Sequence, residues 1–145
     1  MPVNAFRTQQ AVAILVGSLA LYVLTGWALG IEALVRVLPN STAVPFNSAL
    51  LFLVAAWCLW PEPDAALVPV RPLRTHLQSV GRTVGPWLLI AVSGATLVEH
   101  VFGLLLGIDW ESLHQSVNDG NAHPGRLAPN ACIGFLLATL SRPSA

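Results

Sequence analysis

The chain has 145 residues, 54% of them apolar and only 10% charged, and its mean hydropathy is strongly positive; together these exclude an ordinary water-soluble domain. Its formal net charge is zero, so no nucleic-acid partner is expected, and the partner the composition does demand is a lipid bilayer.

Four apolar runs follow one another along the chain. The first, 11–29, comes after Arg7 and gives about 28 Å of helix against a hydrocarbon core of about 30 Å. It is longer than the core of a signal peptide and has a counterpart inside the chain, so it is read as a retained helix. Gly26 and Gly30 near its end form a small-xxx-small pair, the spacing that lets helices approach closely in lipid. Residues 31–37 then read as a short amphipathic turn of helix at the outer surface. The second run, 45–60, is about 24 Å long and must borrow length from its flanks. Asn47, close behind Pro45, is expected to cap it, with a hydrogen bond between helices as the alternative.

Pro61, Pro63, Pro69 and Pro72 give the linker 61–83 an extended, semi-rigid start, and Arg71, Arg74 and Arg82 give it the charge of an inside-facing loop. The third run, 84–106, is about 35 Å long and carries a second glycine pair, Gly103 and Gly107. Glu99 lies four residues before Gly103 on the same stripe, turned toward the bundle about 10 Å below the outer end; a carboxylate there needs a compensating partner. Beyond it, 109–117 reads as another surface turn of helix with Asp109 as N-cap, followed by the polar, turn-rich stretch 118–126. The fourth run, 129–140, about 18 Å, has Asn130 as its expected cap and stops short of a full crossing.

These pieces repeat. A shift of 77 lays Gly17, Gly26, Leu29, Gly30 and Ile31 on Gly94, Gly103, Leu106, Gly107 and Ile108, and a shift of 83 lays Asn47, Phe52, Leu53 and Ala55 on Asn130, Phe135, Leu136 and Ala138. The expected fold is therefore all-α: one integral membrane domain, 1–145, a four-helix bundle of two parallel-repeat hairpins (11–60 and 84–140). The paired glycines are expected to hold the first and third helices together, with Tyr22 facing Glu99. All seven basic residues are arginine; with the N-terminus inside, five lie inside and two, Arg36 and Arg126, outside, which predicts both termini in the cytoplasm. Trp27 and Trp110 would mark the outer interface, and Trp57, Trp60 and Trp87 the inner one. Cys58 and Cys132 fall near opposite faces and are expected to be buried, unpaired thiols.

Polar residues concentrate at the outer end. Glu99, His100, Asp109, His114, His123 and Arg126 are the candidate cue-sensing residues. His114 and His123 are weak metal candidates only, because no His-x-x-x-His or Cys-x-x-Cys spacing occurs, and no cofactor is expected. Without a nucleophile elbow, phosphate loop or zinc-protease motif, the chain is not expected to be an enzyme.

The stretch His123-Pro124-Gly125-Arg126-Leu127-Ala128-Pro129-Asn130, running on into Phe135-Leu136-Leu137, resembles a phrase in the N-terminal membrane regions of bacterial sensory diguanylate cyclases and histidine kinases. Leu97-Val98-Glu99-His100, Leu106-Gly107-Ile108-Asp109 and Pro45-Phe46-Asn47-Ser48-Ala49-Leu50 are similar to other recurring pieces of that family, although Phe46 stands where the family has proline. The resemblance implies a bacterial inner-membrane sensory or anchoring module. Its cue would pass to a cytoplasmic signalling domain outside this chain, and a homodimer is a compatible assembly. A small accessory subunit packed against partner helices is the alternative, and a metal- or haem-binding membrane protein using the outer histidines is a third reading.

Overall fold

The computed structural model describes residues 3–36, 41–61, 72–114, 117 and 123–141. Residues 62–71 of the linker, Asp119 and Arg142 lie outside them. The described residues form six helices and no strand: α1 (Val3–Leu29), α2 (Glu32–Val35), α3 (Phe46–Leu59), α4 (Pro72–Phe102), α5 (Glu111–His114) and α6 (Pro129–Leu140). Two of them, α1 and α4, contain spans long and apolar enough to cross a membrane, and only 28% of each apolar window is buried inside the chain. A core helix of a soluble protein would hide most of that surface, so these faces suit lipid instead.

Neighbouring long helices run antiparallel. Gln9 near the start of α1 donates to the Leu59 carbonyl at the end of α3, while Trp27 at the end of α1 donates from Nε1 to the Val44 carbonyl just ahead of α3. At 14 residues α3 is only about 21 Å long. Nonetheless it matches the height between Gln9 and Trp27, because the extended residues on its flanks complete the distance. Cys58 likewise reaches the Gly81 carbonyl across α3 and α4, and His100 at the end of α4 meets the Leu127 carbonyl ahead of α6.

The main helix contacts are α1 on α3, α3 on α4 and α4 on α6, and α6 also reaches α3 through the Phe52 and Phe135 rings. This corrects the expected contact between the first and third apolar helices: α1 and α4 are not a packed pair, and Tyr22 is exposed rather than facing Glu99. The glycine pairs explain the difference. Gly30 takes a φ of +67° and ends α1, with the Ile31 amide bonded to the Gly26 carbonyl and Gly30 to Trp27, a left-handed helix stop. In the second copy the stop comes one turn earlier, at Gly103, with Gly107 also left-handed (φ +64° and +74°). Gly30, Gly103 and Gly107 have open space where a Cβ would project, so they are turn glycines and not helix-packing ones. Gly26 alone of the four is close-packed, against Leu34 and Val35 of α2.

Close helix approach occurs at other small residues. A Cβ on Gly17 would touch Ala56, and Cβ atoms on Gly81 and Gly85 would run into the Trp57 ring and the Cys58 sulfur. Gly81 and Gly85 are themselves a small-xxx-small pair, and they seat α4 on α3. The buried positions of α4, Leu89, Ser93, Thr96 and Glu99, continue the same stripe at helical spacing. Leu51, Cys58, Leu89, Leu127, Cys132 and Phe135 make one apolar core between α3, α4 and α6; Val23, Trp27, Val35, Ala43, Ala49 and Val117 make a second beside α2 and α5. Both cysteines are buried and neither is in a disulfide, as expected.

Candidate functional site

The end of the molecule at which α1 and α4 finish gathers most of the polar residues singled out in the sequence. Glu99 is wholly buried in the last turn of α4. It is covered because the left-handed Gly103 turns the chain back, bringing the Leu106 amide to donate to Glu99 Oε1 at 2.6 Å. Arg126, three residues before α6, lies between two carboxylates: its Nε donates to Asp109 Oδ2 at 2.9 Å and stands 4.0 Å from Glu99 Oε2. The guanidinium also donates to the Leu104 carbonyl at 3.3 Å. All three side chains are at most 6% exposed. Glu99 Oε2 and Asp109 Oδ1 are buried without a hydrogen-bond partner among the described residues. One guanidinium therefore serves two carboxylates, and it has committed its short bond to one of them.

Asp109 was expected to cap the following turn of helix; it instead pairs with Arg126, and α5 starts only at Glu111. His114 closes α5 and is buried, with both ring nitrogens engaged. The Phe46 amide donates to Nε2 at 3.0 Å, which assigns the ring proton to Nδ1, 2.9 Å from the Trp110 carbonyl. Thus His114 joins the connection between α4 and α6 to the start of α3, and it has no lone pair left for a metal. Among the described residues no group of three or more His, Cys, Asp or Glu side chains is placed to hold a metal ion. His123 is exposed, away from the buried group, and contributes its carbonyl to the Arg126 amide. His100 is tied to the Leu127 carbonyl at 2.7 Å, next to Arg126 in the chain but not part of the ion-pair group.

Asn47 is not a cap. Pro45 holds the N-cap position of α3 without a side-chain bond, and Asn47 Nδ2 donates to the Ile108 carbonyl at 2.6 Å, the inter-repeat bond that was the alternative. Asn130 does accept from the Ala131 amide at 3.0 Å, a local bond at the start of α6. Trp27 is buried rather than interfacial, edge-on to His114 with ring centroids 4.6 Å apart, whereas Trp110, Trp57 and Trp87 stay exposed.

Two participants escaped the sequence reading. Gly125 has a φ of +87°, and a Cβ there would collide with the Asp109 carbonyl and the His114 ring, so this glycine locks the loop before α6 onto the loop before α5. The Pro124-Gly125 dipeptide announces a turn, but only the fold shows what it presses against. Phe46 is the other: its ring stacks on Trp110 at 5.4 Å. Trp27, Phe46, Gly107, Trp110, Glu111 and Ser112 line an open cleft of about 610 Å³ beside the buried group. The chain matches no family model, no curated protein and no solved structure.

Proposed function

We propose that the chain is the membrane-embedded sensory region of a bacterial signalling protein, seated in the cytoplasmic membrane with both ends inside. It passes a cue from its outer cap through α4 and α6 to a cytoplasmic output. The observation that supports this reading is the Glu99–Arg126–Asp109 group, in which a single buried guanidinium is shared unequally by two carboxylates. Transmission needs two arrangements that a cue can bias unequally. Exchange of Arg126 between Asp109, ahead of α5, and Glu99, on α4, supplies such a pair. Because Arg126 leads directly into α6, the exchange would shift α6 along α4. Intramembrane acids are rare unless they serve such work, and the inside excess of arginine supports the orientation.

The test is a fusion of the whole chain to a cytoplasmic output enzyme assayed in cells. Glu99→Gln should move the basal output severalfold, and replacing 118–122 with a Gly/Ser linker should abolish cue response. Unchanged output in both would remove the sensory reading.

A second reading is a small subunit of a larger membrane assembly. An open apolar groove of about 690 Å³ along α1 and α3, lined by Ala13, Gly17, Leu21, Leu53 and Trp57 among others, favours it because a helix from another chain would fit there. Co-purification of a partner at fixed stoichiometry in mild detergent would replace the first reading with the second.

A further inference from the structure

The cleft beside the buried group has a distinct chemistry. Its floor is the buried Trp27 ring, whose Nε1 is already spent on the Val44 carbonyl, so the ring offers its π system and no donor. Its wall is the Phe46 and Trp110 pair, stacked with 25° between planes. Among the described residues of the lining, Glu111 on the rim is the one charged side chain and none is a cation. Trp110 is held at a φ of +47°, a conformation that a bulky side chain avoids and that collects at ligand sites. At about 610 Å³ the cleft falls within the size range of small-molecule sites.

We propose that this cleft binds a substituted ammonium group, with the aromatic rings receiving the alkylated cation and Glu111 balancing its charge. Aromatic faces attract cations through their quadrupole, and quaternary ammonium ions are the ligands that such ring clusters select. The carboxylate works against anions, and an uncharged apolar ligand would make no use of it. The ammonium group belongs either to a soluble metabolite or to the headgroup of a lipid in the outer leaflet. The bound ligand would press on Trp110, whose carbonyl holds His114, and His114 packs on Gly125 beside Arg126. This last step, from occupancy to signal, and the outer-leaflet placement rest on the proposed function.

The experiment measures choline binding by equilibrium dialysis to the whole chain in phosphatidylglycerol nanodiscs, with the uncharged isostere 3,3-dimethylbutanol as comparison. Saturable binding at one choline per chain is expected, about tenfold tighter than the isostere, a difference of about 1.4 kcal/mol. Glu111→Gln should weaken choline by about the same factor, whereas Glu32→Gln, an equal charge change elsewhere on the outer face, should leave it unaltered. Loss of choline binding in nanodiscs containing phosphatidylcholine identifies the lipid headgroup as the source; persistence identifies a soluble ligand. Absence of saturable binding, equal affinity for the isostere, or indifference to Glu111→Gln overturns the proposal. Choline binding without any effect on a fused output would leave the site standing and refute its coupling to the signal, while a loop-dependent output without choline binding would overturn the site and leave the sensory reading standing.

Discussion

Removal of the Arg126 guanidinium is the most demanding perturbation of the outer cap. Arg126→Ala leaves Glu99 and Asp109 buried, at 0% and 4% side-chain exposure, with no cation between them. Coulomb's law at an effective dielectric of about 20 gives an attraction of about 6 kcal/mol at the 2.9 Å contact with Asp109 and about 4 at the 4.0 Å contact with Glu99. Desolvation offsets part of that attraction in the native protein, but it is not recovered when one partner is deleted. Deletions of this kind cost about 3–5 kcal/mol, and the lost bond to the Leu104 carbonyl adds to the damage. The assay is equilibrium unfolding in bicelles by steric trapping, read against the unsubstituted chain. Adding Glu99→Gln in the Arg126→Ala background should restore about 1–2 kcal/mol by removing one uncompensated charge. A loss below about 1 kcal/mol for Arg126→Ala, or no recovery in the double variant, would refute the claim that the group is a buried, coupled unit.

Three further outcomes follow from the packing. Gly85→Ala, whose Cβ meets the Cys58 sulfur, should lower stability by about 1–3 kcal/mol in the same assay, and Cys58→Ala should relieve part of it. Gly125→Ala should cost more than Gly107→Ala, since both require left-handed backbone but only Gly125 is pressed against Asp109 and His114; a thermal melt that ranks them the other way contradicts the loop contact. Asn47→Ala should cost about 1 kcal/mol through its bond to the Ile108 carbonyl, and Asn130→Ala, at an exposed local bond, measurably less. Equal losses would return Asn47 to the role of a cap.

Hydrophobicity made the four apolar segments legible, since helix length and lipid thickness are the physical quantities that fix them. The duplication was legible as well, but its consequence was misread at the glycines. Small-xxx-small spacing does not distinguish a packing face from a helix stop: Gly26 stays helical while its counterpart Gly103 turns left-handed, and the pair that does seat two helices, Gly81 and Gly85, lies outside the repeat match. Glu99, Asp109 and Arg126 could be picked out singly because charge is scarce here. That they converge could not, for it depends on the Gly103 turn folding the chain back over Glu99 and on Gly125 fastening one loop to the other. Asn47 shows the same limit: a position beside proline suits a cap, and only tertiary structure offers it the Ile108 carbonyl.

The account turns on the chain crossing the membrane with the Glu99–Arg126–Asp109 cap on the outer side. Labelling of His123→Cys and His76→Cys variants with a membrane-impermeant maleimide in intact cells tests this directly, both native cysteines being buried. Labelling of the position 123 variant from outside, with the position 76 variant reactive only after lysis, is the predicted result. The opposite pattern, or equal labelling of both in unbroken cells, would contradict it.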